Sequence, residues 1–368
     1  MSRIVLLIAH TENRRLLAEW LSLHHEVVIP ESLDVVAAGD FDLAVLDGPS
    51  LERHGRWIDA AKRAVSPVFL PVLLVVPRGL GAGSAAAQVW ERVDELLVAP
   101  VEKLELHARV ETLLRARALS LQNAALARSL QAELARAREV QAGLLPVEAP
   151  RLSGFDLAAR CVPAHEVGGD FFDWQVLDGA AVLSVGDVMG KGIPAALLAA
   201  TVRAVLRALA HQNPPGATLD LLRQALGGDL ERTSSFVTLF HARLASNEVH
   251  YVDAGHGHAL VRRARGALER LVRGGRPVGF PAVGPYRESV IRLEPGDALF
   301  VYSDGLFEGT EHRPEELIAE LDMAGDASSL VDRLLAHPRP RDAGDDATVL
   351  ALKCTNDRCS SRYHGASP

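Results

Sequence analysis

The stretch VLSVGDVMGKGIPAALLAA, residues 182–200, places a lone aspartate, Asp187, at the end of an apolar, strand-like run. Glycines stand close to it, at Gly186, Gly190 and Gly192, and an apolar, helix-like segment follows at once. An aspartate in such a bend can cap the helix, bind a metal ion or simply make a turn. The stretch therefore predicts a strand that leads into a helix, and it leaves the role of the carboxylate open.

Three further glycine-flanked turns carry aspartates beside strand-like runs. Their aspartates are Asp170, Asp304 and the adjacent pair Asp345 and Asp346. A single Asp-Gly pair usually makes only a turn. Several carboxylates brought together would repel one another unless a cation lay among them, and oxygen ligands select hard ions such as Mg²⁺ or Mn²⁺. Taken together, the turns predict a metal site.

The composition limits the class of protein. The chain has 368 residues, 48% of them hydrophobic and 23% charged, with a formal net charge of −8. These values indicate a globular protein of about two domains and disfavour nucleic acid as a partner. The three cysteines form no CxxC pair, which is typical of a reducing compartment. We also find no signal sequence and no membrane-spanning segment, and therefore expect a cytoplasmic protein that binds no membrane.

Residues 1–118 alternate short apolar runs with helix-like stretches. The apolar runs are RIVLLIA, HEVVIP, FDLAVLD, PVLLVV and DELLVAP. One of the helix-like stretches is SAAAQVWERV, residues 84–93. Because strands and helices alternate, the pattern predicts an α/β domain with a five-stranded parallel sheet that is covered on both faces.

Residues 102–145 favour one long helix. The segment contains a single glycine and no proline, and Ala, Leu, Arg, Glu and Gln dominate it. Leu126 and Val140 share one seven-residue phase, whereas Leu130 and Leu144 share another. We interpret the segment as a coiled-coil connector that forms a homodimer, and the alternative is a solvated spacer helix.

Residues 147–353 have a different pattern, in which strand-like runs come in groups. Helix-like stretches interrupt them near 193–212, 216–231 and 314–336. The pattern predicts mainly antiparallel sheets, in an α+β arrangement or an α/β/β/α sandwich. The polar residues 354–368 are expected to form a flexible tail.

The segment 1–118 resembles the receiver domains of response regulators, which have a flavodoxin-like fold. The resemblance places Asp47, at the end of FDLAVLD, at the phospho-acceptor position. Ala9 and His10 stand where the family has Mg²⁺-binding acids, and Ala99 replaces its lysine. A lone carboxylate without these partners poorly supports phosphoryl transfer. We therefore expect a pseudo-receiver that binds or signals without conventional phosphorylation.

The aspartate turns, in their order along about residues 138–353, resemble the metal-dependent protein phosphatases of type 2C. AREVQAGLLP, DAGHGHALV and GGRPVGF belong to the same resemblance. It is most specific for the bacterial SpoIIE/RsbU branch, whose members dephosphorylate phosphoserine or phosphothreonine on STAS-domain anti-anti-sigma factors. The resemblance implies the α/β/β/α sandwich of type 2C phosphatases.

The resemblance further implies a site for two Mg²⁺ or Mn²⁺ ions. Asp187 would bridge the ions, and the backbone carbonyl of Val188 would be a ligand of one of them. The ions would activate a water for in-line attack on the phosphorus, so that no covalent phosphoenzyme is needed. Asp187, Asp170 and Asp304 are the candidate catalytic residues. The remaining metal ligands would be Asp170, Asp304 and Asp345, with Asp346 as the alternative to Asp345.

Several histidine positions depart from the wider family. Met189 stands where eukaryotic members carry a histidine that is a candidate general acid. His165 is a candidate contact for the substrate phosphate, and the alternative is a surface role. His256 and His258 could suggest a transition-metal site, but without a third ligand a structural or surface role is favoured.

Two functions of different classes remain at this point. The leading one is a phosphatase that acts on a phosphorylated STAS-domain protein, with the receiver-like segment and the dimeric connector controlling the helix after Asp187. The alternative is a catalytically weak regulator that sequesters a partner. The acidic balance and the absence of a basic helix-turn-helix pattern disfavour a DNA-binding response regulator.

Overall fold

The computed structural model of the chain describes residues 1–33, 36–37, 39–78, 92–177, 179–211, 213–281, 284–308, 313–337 and 344–355. The chain divides into two compact units, Met1–Ala132 and Glu133–Pro368. The expected tail lies, from residue 356 onward, outside the described residues. In the described part of the chain, no helix combines the length and the apolar character that crossing a membrane requires.

The first unit contains the predicted five-stranded parallel sheet. Its strands are β1 (Arg3–Leu7), β2 (Glu26–Val28), β3 (Leu43–Asp47), β4 (Val72–Pro77) and β5 (Glu95–Ala99), and they lie in the order β2-β1-β3-β4-β5. Its helices are α1 (Thr11–Leu21), α2 (Gly48–Val65) and α3 (Lys103–Leu144) as far as Ala132. Most of the helix expected in residues 84–93 lies outside the described residues.

Apolar side chains cover both faces of this sheet. On one face, α1 and the first turns of α3 pack against the sheet, with Leu21, Val110 and Leu6 in one buried cluster. On the other face, α2 contributes Ile58 to a second cluster that includes Leu46. The continuous apolar runs of the strands follow from this arrangement, because a strand between two layers has no solvent-facing side.

The helix α3 confirms the expectation of a long helix in the connector. Its buried residues, from Leu106 to Arg117, all lie in its first turns. Further along, the large apolar side chains are exposed, including Leu126, Leu130 and Val140. Pairing of this exposed stretch in a coiled coil stays a prediction.

The second unit contains two five-stranded antiparallel sheets. The first has the order β13-β10-β9-β8-β7 and the second has the order β12-β11-β14-β15-β6. The strands of the first sheet are β7 (Phe171–Leu177), β8 (Ala180–Val188), β9 (Val237–Ala245), β10 (Glu248–Ala254) and β13 (Ser289–Arg292). Those of the second sheet are β6 (Phe155–Val162), β11 (Ala259–Arg262), β12 (Leu268–Arg270), β14 (Ala298–Tyr302) and β15 (Ala347–Cys354).

Helices lie on the outer sides of these two sheets, which confirms the predicted α/β/β/α sandwich. Leu183 of the first sheet and Leu350 of the second belong to one buried cluster, so the inner faces pack together. The helices α4 (Ile193–Leu209) and α5 (Pro215–Arg232) share a second cluster with the first sheet. The short helices α6 (Pro314–Glu320) and α7 (Ala327–Leu335) share a third cluster with the second sheet.

The helix-like stretch 314–336 is interrupted, which corrects the expectation of one helix there. The helix α6 ends at Glu320, and Gly325 has a φ of 89° in the connection. Asp326 then caps α7 by accepting a hydrogen bond from the Ser329 N–H at 2.8 Å. The helix α6 thus ends where Leu321 adopts an extended conformation, and the capping aspartate starts the next helix.

Candidate active site

Strand pairing brings the predicted aspartates to one edge of the sandwich. In the first sheet, Phe171 pairs with Gly186, so the next positions along these antiparallel strands are Asp170 and Asp187. In the second sheet, Tyr302 pairs with Val349. Asp304 follows β14, and the pair Asp345 and Asp346 precedes β15, so these residues lie at the corresponding end of the second sheet.

Asp170 is a buried carboxylate, with only 5% of its surface exposed. Its Oδ2 atom has no hydrogen-bond partner among the described residues. Burial, and after it the charge of Asp187, raises the pKa of Asp170 well above its usual range, and the nearby hydroxyls of Ser303 and Thr348 lower it in part. A buried acceptor without a donor is costly, so this carboxylate needs a positive partner or a proton.

Asp187 is half-buried at the end of β8. Burial, and after it the charges of Asp304, Asp345 and Asp346, raises the pKa of its carboxyl to about 7. Like charges held close together in a partly dry site disfavour the ionised form. The group is therefore electrostatically unsatisfied, which is common at functional sites.

Asp345 and Asp346 are adjacent but have different surroundings. Asp346 is buried, and its Oδ1 and Oδ2 accept hydrogen bonds from the backbone N–H groups of Ala164 at 2.9 Å and Asp170 at 3.4 Å. Asp345 instead lines a cavity of about 250 Å³ together with Asp304. The carboxylate of Asp346 thus holds the segment before β7, whereas Oδ1 of Asp345 accepts only from the Asp346 N–H, at 3.0 Å, among the described residues.

Two glycines permit the backbone to approach closely at this edge. A Cβ atom on Gly169 would lie 2.5 Å from the carbonyl oxygen of Val188, and one on Gly168 would lie 1.7 Å from Oδ2 of Asp346. Neither distance is tolerable for a side chain. The GGD sequence before β7 is therefore required by packing against Val188 and Asp346.

The donor set fits a hard divalent cation in kind. It consists of carboxylate oxygens and a backbone carbonyl, and Asp170 has an orphaned buried oxygen. Within the described residues, however, no three His, Cys, Asp or Glu side chains are grouped closely enough to hold a metal ion. The acids therefore share one edge of the fold without forming a preorganised cage.

Two charged or titratable side chains at this edge were not assigned to the aspartate site from the sequence. His258 is half-buried and lines the same cavity as Asp304 and Asp345; burial lowers its pKa, and the charge of Asp304 opposes that shift. Lys191 donates a hydrogen bond to the carbonyl oxygen of Gly344 at 2.5 Å. The HGH sequence marked His258 as a possible ligand, but the position of His258 beside Asp304 follows only from the fold.

Neither His165 nor His256 lines this cavity. His165 is exposed. His256 is buried, its Nδ1 lies 3.1 Å from the hydroxyl of Thr238, and burial lowers its pKa to about 3. Met189, at the position of the missing histidine, is 41% exposed.

An ion-pair cluster fixes α4 beside this edge. Oδ1 of the buried Asp173 on β7 accepts hydrogen bonds from Arg207 at 2.6 Å and Arg203 at 3.2 Å, both on α4. Arg203 and Arg207 lie in the second half of α4, so the cluster ties that half of the helix to β7. Breaking a buried ion pair leaves an uncompensated charge, so this anchor is hard to remove.

Comparison with known proteins identifies the family of the domain that carries this site. Residues 178–355 match the family model of stage II sporulation protein E (SpoIIE). The second unit contains a SpoIIE-family domain. Among solved structures, the PP2C domain of SiaA from Pseudomonas aeruginosa has a TM-score of 0.54 and 19% identity, over 62% of this chain and 98% of that one. This likeness shows that the SpoIIE-family domain has the PP2C fold.

Two curated relatives extend over more of the chain than the family model. Phosphoserine phosphatase RsbU of Bacillus subtilis is 26% identical over an alignment of 237 residues, and the match covers 61% of this chain and 70% of RsbU. Protein IcfG of Synechocystis is 24% identical over an alignment of 260 residues, and the match covers 60% of this chain and 41% of IcfG. This chain therefore matches less than half of the length of IcfG.

Proposed function

We propose that the SpoIIE-family domain is a metal-dependent phosphatase that hydrolyses phosphoserine or phosphothreonine on a regulatory protein. The observation that carries this proposal is the convergence of Asp170, Asp187, Asp304 and Asp345 at one edge of the sandwich. Their unsatisfied negative charge, seen in the raised pKa of Asp187, is what a divalent cation would neutralise. The likeness to the phosphoserine phosphatase RsbU supports the same class of reaction.

In this proposal Asp187, Asp170, Asp304, Asp345 and the backbone carbonyl of Val188 would hold two Mg²⁺ or Mn²⁺ ions, with Asp187 as the ligand shared between them. When bound, such ions lower the pKa of a water and neutralise charge on phosphoryl oxygens. Asp346 keeps the segment that bears Asp170 in place through its two backbone acceptor bonds. Asp345, rather than Asp346, is assigned as the ligand because Asp345 lines the cavity and both carboxylate oxygens of Asp346 already accept backbone hydrogen bonds.

The cavity of about 250 Å³ is the proposed seat of the phosphorylated side chain. Phe307 and Pro314 give it an apolar wall, and His258 gives it a titratable edge. Lys191 lies close enough to lower the pKa of Asp345 in part, so its ammonium offers the positive charge that a phosphate dianion requires. We assign the phosphate contact to Lys191 and His258, in place of the exposed His165.

We further propose that the substrate is a STAS-domain protein of the anti-anti-sigma type. The SpoIIE/RsbU resemblance of the aspartate turns supports this substrate class. The acidic chain, with its net charge of −8, fits a protein substrate better than a nucleic acid.

The decisive test measures hydrolysis of p-nitrophenyl phosphate and of a phosphoserine STAS protein by the full chain. We expect activity with Mn²⁺ or Mg²⁺, its loss with EDTA, and its loss in Asp304→Ala. The matched control is Asp229→Ala, because Asp229 lies on the surface of α5 and pairs only with Arg232 in the described structure. Activity that survives both Asp187→Ala and Asp304→Ala would reject the metal mechanism. Tight binding of the phosphoprotein without any turnover would favour the sequestering regulator.

We also propose that α3 forms a homodimer through which the first unit controls the phosphatase. The exposed apolar residues Leu126, Leu130 and Val140 support this, because unpaired heptad positions on a long helix favour a partner helix. Sedimentation of the full chain is expected to show a dimer that Leu130→Glu dissociates and Gln131→Glu leaves intact. A monomeric wild-type chain would contradict the proposal.

A further inference from the structure

A large cavity lies in the first unit, at the carboxyl ends of the parallel strands. Its volume is about 1000 Å³, four times that of the cavity beside Asp304. The ends of β1, β3, β4 and β5 form its floor, and α1 and the start of α3 form its walls. We call it the edge cavity. The proposed phosphatase reaction makes no use of it.

The edge cavity lies where ligands of open α/β sheets usually bind. The strand order β2-β1-β3-β4-β5 reverses direction between β1 and β3, because β2 lies on one side of β1 and the later strands lie on the other. Clefts outside the carboxyl ends of the strands at such a point are the usual ligand sites of this architecture. Ile8, which follows β1, and Asp47, which ends β3, both line the edge cavity.

The walls of the edge cavity are mainly apolar. Leu17, Trp20 and Leu106 line it from the helices, and Val76 lines it from β4. At its rim, Leu16 and Leu23 are 50% and 69% exposed. A concave apolar surface of this size with a few polar groups is typical of a small-molecule site.

The charged groups of the edge cavity are mostly acidic. The carboxylate of Asp47 is held in place, because Oδ2 accepts from the Ala9 N–H at 2.7 Å and Oδ1 accepts from the Ser50 N–H at 3.0 Å. Glu52 also lines the cavity and forms no ion pair within the described residues. Glu19 is already paired with Arg15 at 2.5 Å. Lys103 is the one ammonium group among the described lining residues.

We propose that the edge cavity binds a small molecule with an apolar, ring-sized body and one cationic group. The apolar walls take the body of the ligand and cover the exposed leucines at the rim. Asp47 and Glu52 take the cationic group of the ligand, because neither carboxylate is paired with a cationic side chain within the described residues. Lys103 is the one ammonium group among the described lining residues. The first unit is then a chemical sensor, whose input is occupancy of the cavity.

The test compares two probes with the same naphthyl body and opposite charge. The cation 1-naphthylmethylammonium and the anion 1-naphthylacetate are titrated into the full chain by calorimetry and by saturation-transfer NMR. We expect the cation to bind at one site per chain, roughly tenfold or more tightly than the anion. Asp47→Asn and Glu52→Gln each reduce this preference severalfold, and Asp47→Asn keeps a side chain that can cap α2.

A cavity-filling variant shows where the probe binds. Leu16→Trp is expected to weaken binding of the cation by at least about tenfold, because an indole occupies the mouth of the cavity. The matched control is Leu104→Trp, since Leu104 is 80% exposed and does not line the cavity. Thermal unfolding establishes that both variants are folded.

Three outcomes would overturn the proposal. They are absence of binding by either probe, equal binding of the anion, and binding that Leu16→Trp leaves unchanged. A fourth outcome, in which the chain self-associates through this face and Leu16→Trp dissociates it, would make the edge cavity an interface between copies. Failure of these tests leaves the phosphatase proposal intact, because they measure binding in the first unit only.

Discussion

Asp47 in the first unit and Asp187 in the second each stand at the end of a buried strand, with a glycine and a helix close behind. In the first unit the carboxylate is used by the fold. Asp47 is the N-cap of α2, and its two oxygens accept hydrogen bonds from Ser50 and Ala9. An N-cap carboxylate satisfies free N–H groups and interacts favourably with the helix dipole.

The carboxylate of Asp187 has no such use. Its helix is capped at Gly192, whose φ is 71°, and no hydrogen bond to the Asp187 side chain occurs within the described residues. Three neighbouring carboxylates instead contribute to raising its pKa to about 7. The comparison teaches that one local sequence pattern can hold an aspartate whose oxygens have hydrogen-bond donors and another whose charge is left without them. The donors that the fold supplies separate the two.

The largest expected effect follows from replacing Asp187. We expect Asp187→Asn to lower the rate of phosphate-ester hydrolysis by about 10³-fold or more, since it removes the charge proposed to bind cations. In the presence of a chelator the same variant should unfold at the same temperature or a higher one, because a repulsive charge is gone. Hydrolysis rates and thermal unfolding check both statements.

Asp229→Asn serves as the control for general effects of charge, and we expect it to change neither quantity. If Asp187→Asn instead lowers stability as the loss of a cap would, Asp187 is a structural residue. The contrast with Asp47 would then be wrong.

Glycines give a second contrast between the two units. Gly169→Ala places a Cβ atom 2.5 Å from the carbonyl oxygen of Val188, whereas Gly48→Ala meets nothing within 4 Å. We expect Gly169→Ala to cost about 1–3 kcal/mol of stability and most of the hydrolytic activity. Gly48→Ala should change stability by less than about 1 kcal/mol, toward higher stability, because alanine favours the helix. Urea unfolding of both variants tests the difference, and equal effects would contradict it.

Much of the fold was predictable from local patterns. The five apolar runs of residues 1–118 predicted a parallel sheet, because strands covered on both faces need continuous apolar sequence. The short edge strands β12 and β13 escaped prediction, since Leu268–Arg270 and Ser289–Arg292 contain too few residues for a clear alternation. The interruption between α6 and α7 rests on the extended conformation of Leu321 and on the N-cap Asp326, which hydrophobic periodicity does not report.

The candidate site was predictable only where it is local in sequence. Each aspartate has its own glycine-flanked turn, so the turns could be found one by one. The position of His258 beside Asp304 and Asp345 arises from three distant segments that meet at one cavity. The hydrogen bond from Ala9 to Asp47 is likewise a contact between neighbouring strands, and it is what makes Asp47 a satisfied residue.

Buried histidines extend the comparison to pH. His241 on β9 is 2% exposed, its Nδ1 lies 2.8 Å from the hydroxyl of Ser184, and burial lowers its pKa from 6.5 to about 4. In the first unit, burial also lowers the pKa of His25, but Glu111 lies 3.5 Å away and opposes the shift. An unfolded chain binds a proton at His241 more readily than the folded chain does. The contribution of His241 to the free energy of unfolding is therefore fully present above pH 6.5 and is lost as the pH falls toward 4.

Protonation of His241 contributes to the stability that the wild-type chain loses between pH 6.5 and pH 4. We expect His241→Gln to make this loss smaller by about 1–3 kcal/mol. Glutamine can still form a hydrogen bond to Ser184, so the stability at pH 8 changes little. The informative quantity is the pH slope, the change of the free energy of unfolding with pH. Urea unfolding at several pH values measures that slope, and NMR of the histidine rings measures the pKa. His25→Gln should change the slope less, and an equal change would show that Glu111 does not offset the burial of His25.

The smallest effect concerns Asp47 itself. We expect Asp47→Ala to lower the free energy of unfolding by about 1 kcal/mol, the usual cost of losing an N-cap. Asp47→Asn should recover most of that loss, because an asparagine oxygen can still accept from Ser50, although only one oxygen then remains to serve both Ser50 and Ala9. Urea unfolding of the two variants ranks them. If Asp47→Ala is instead neutral or stabilising, the fold does not use this carboxylate, and the end of β3 would carry the same kind of unsatisfied charge as the end of β8.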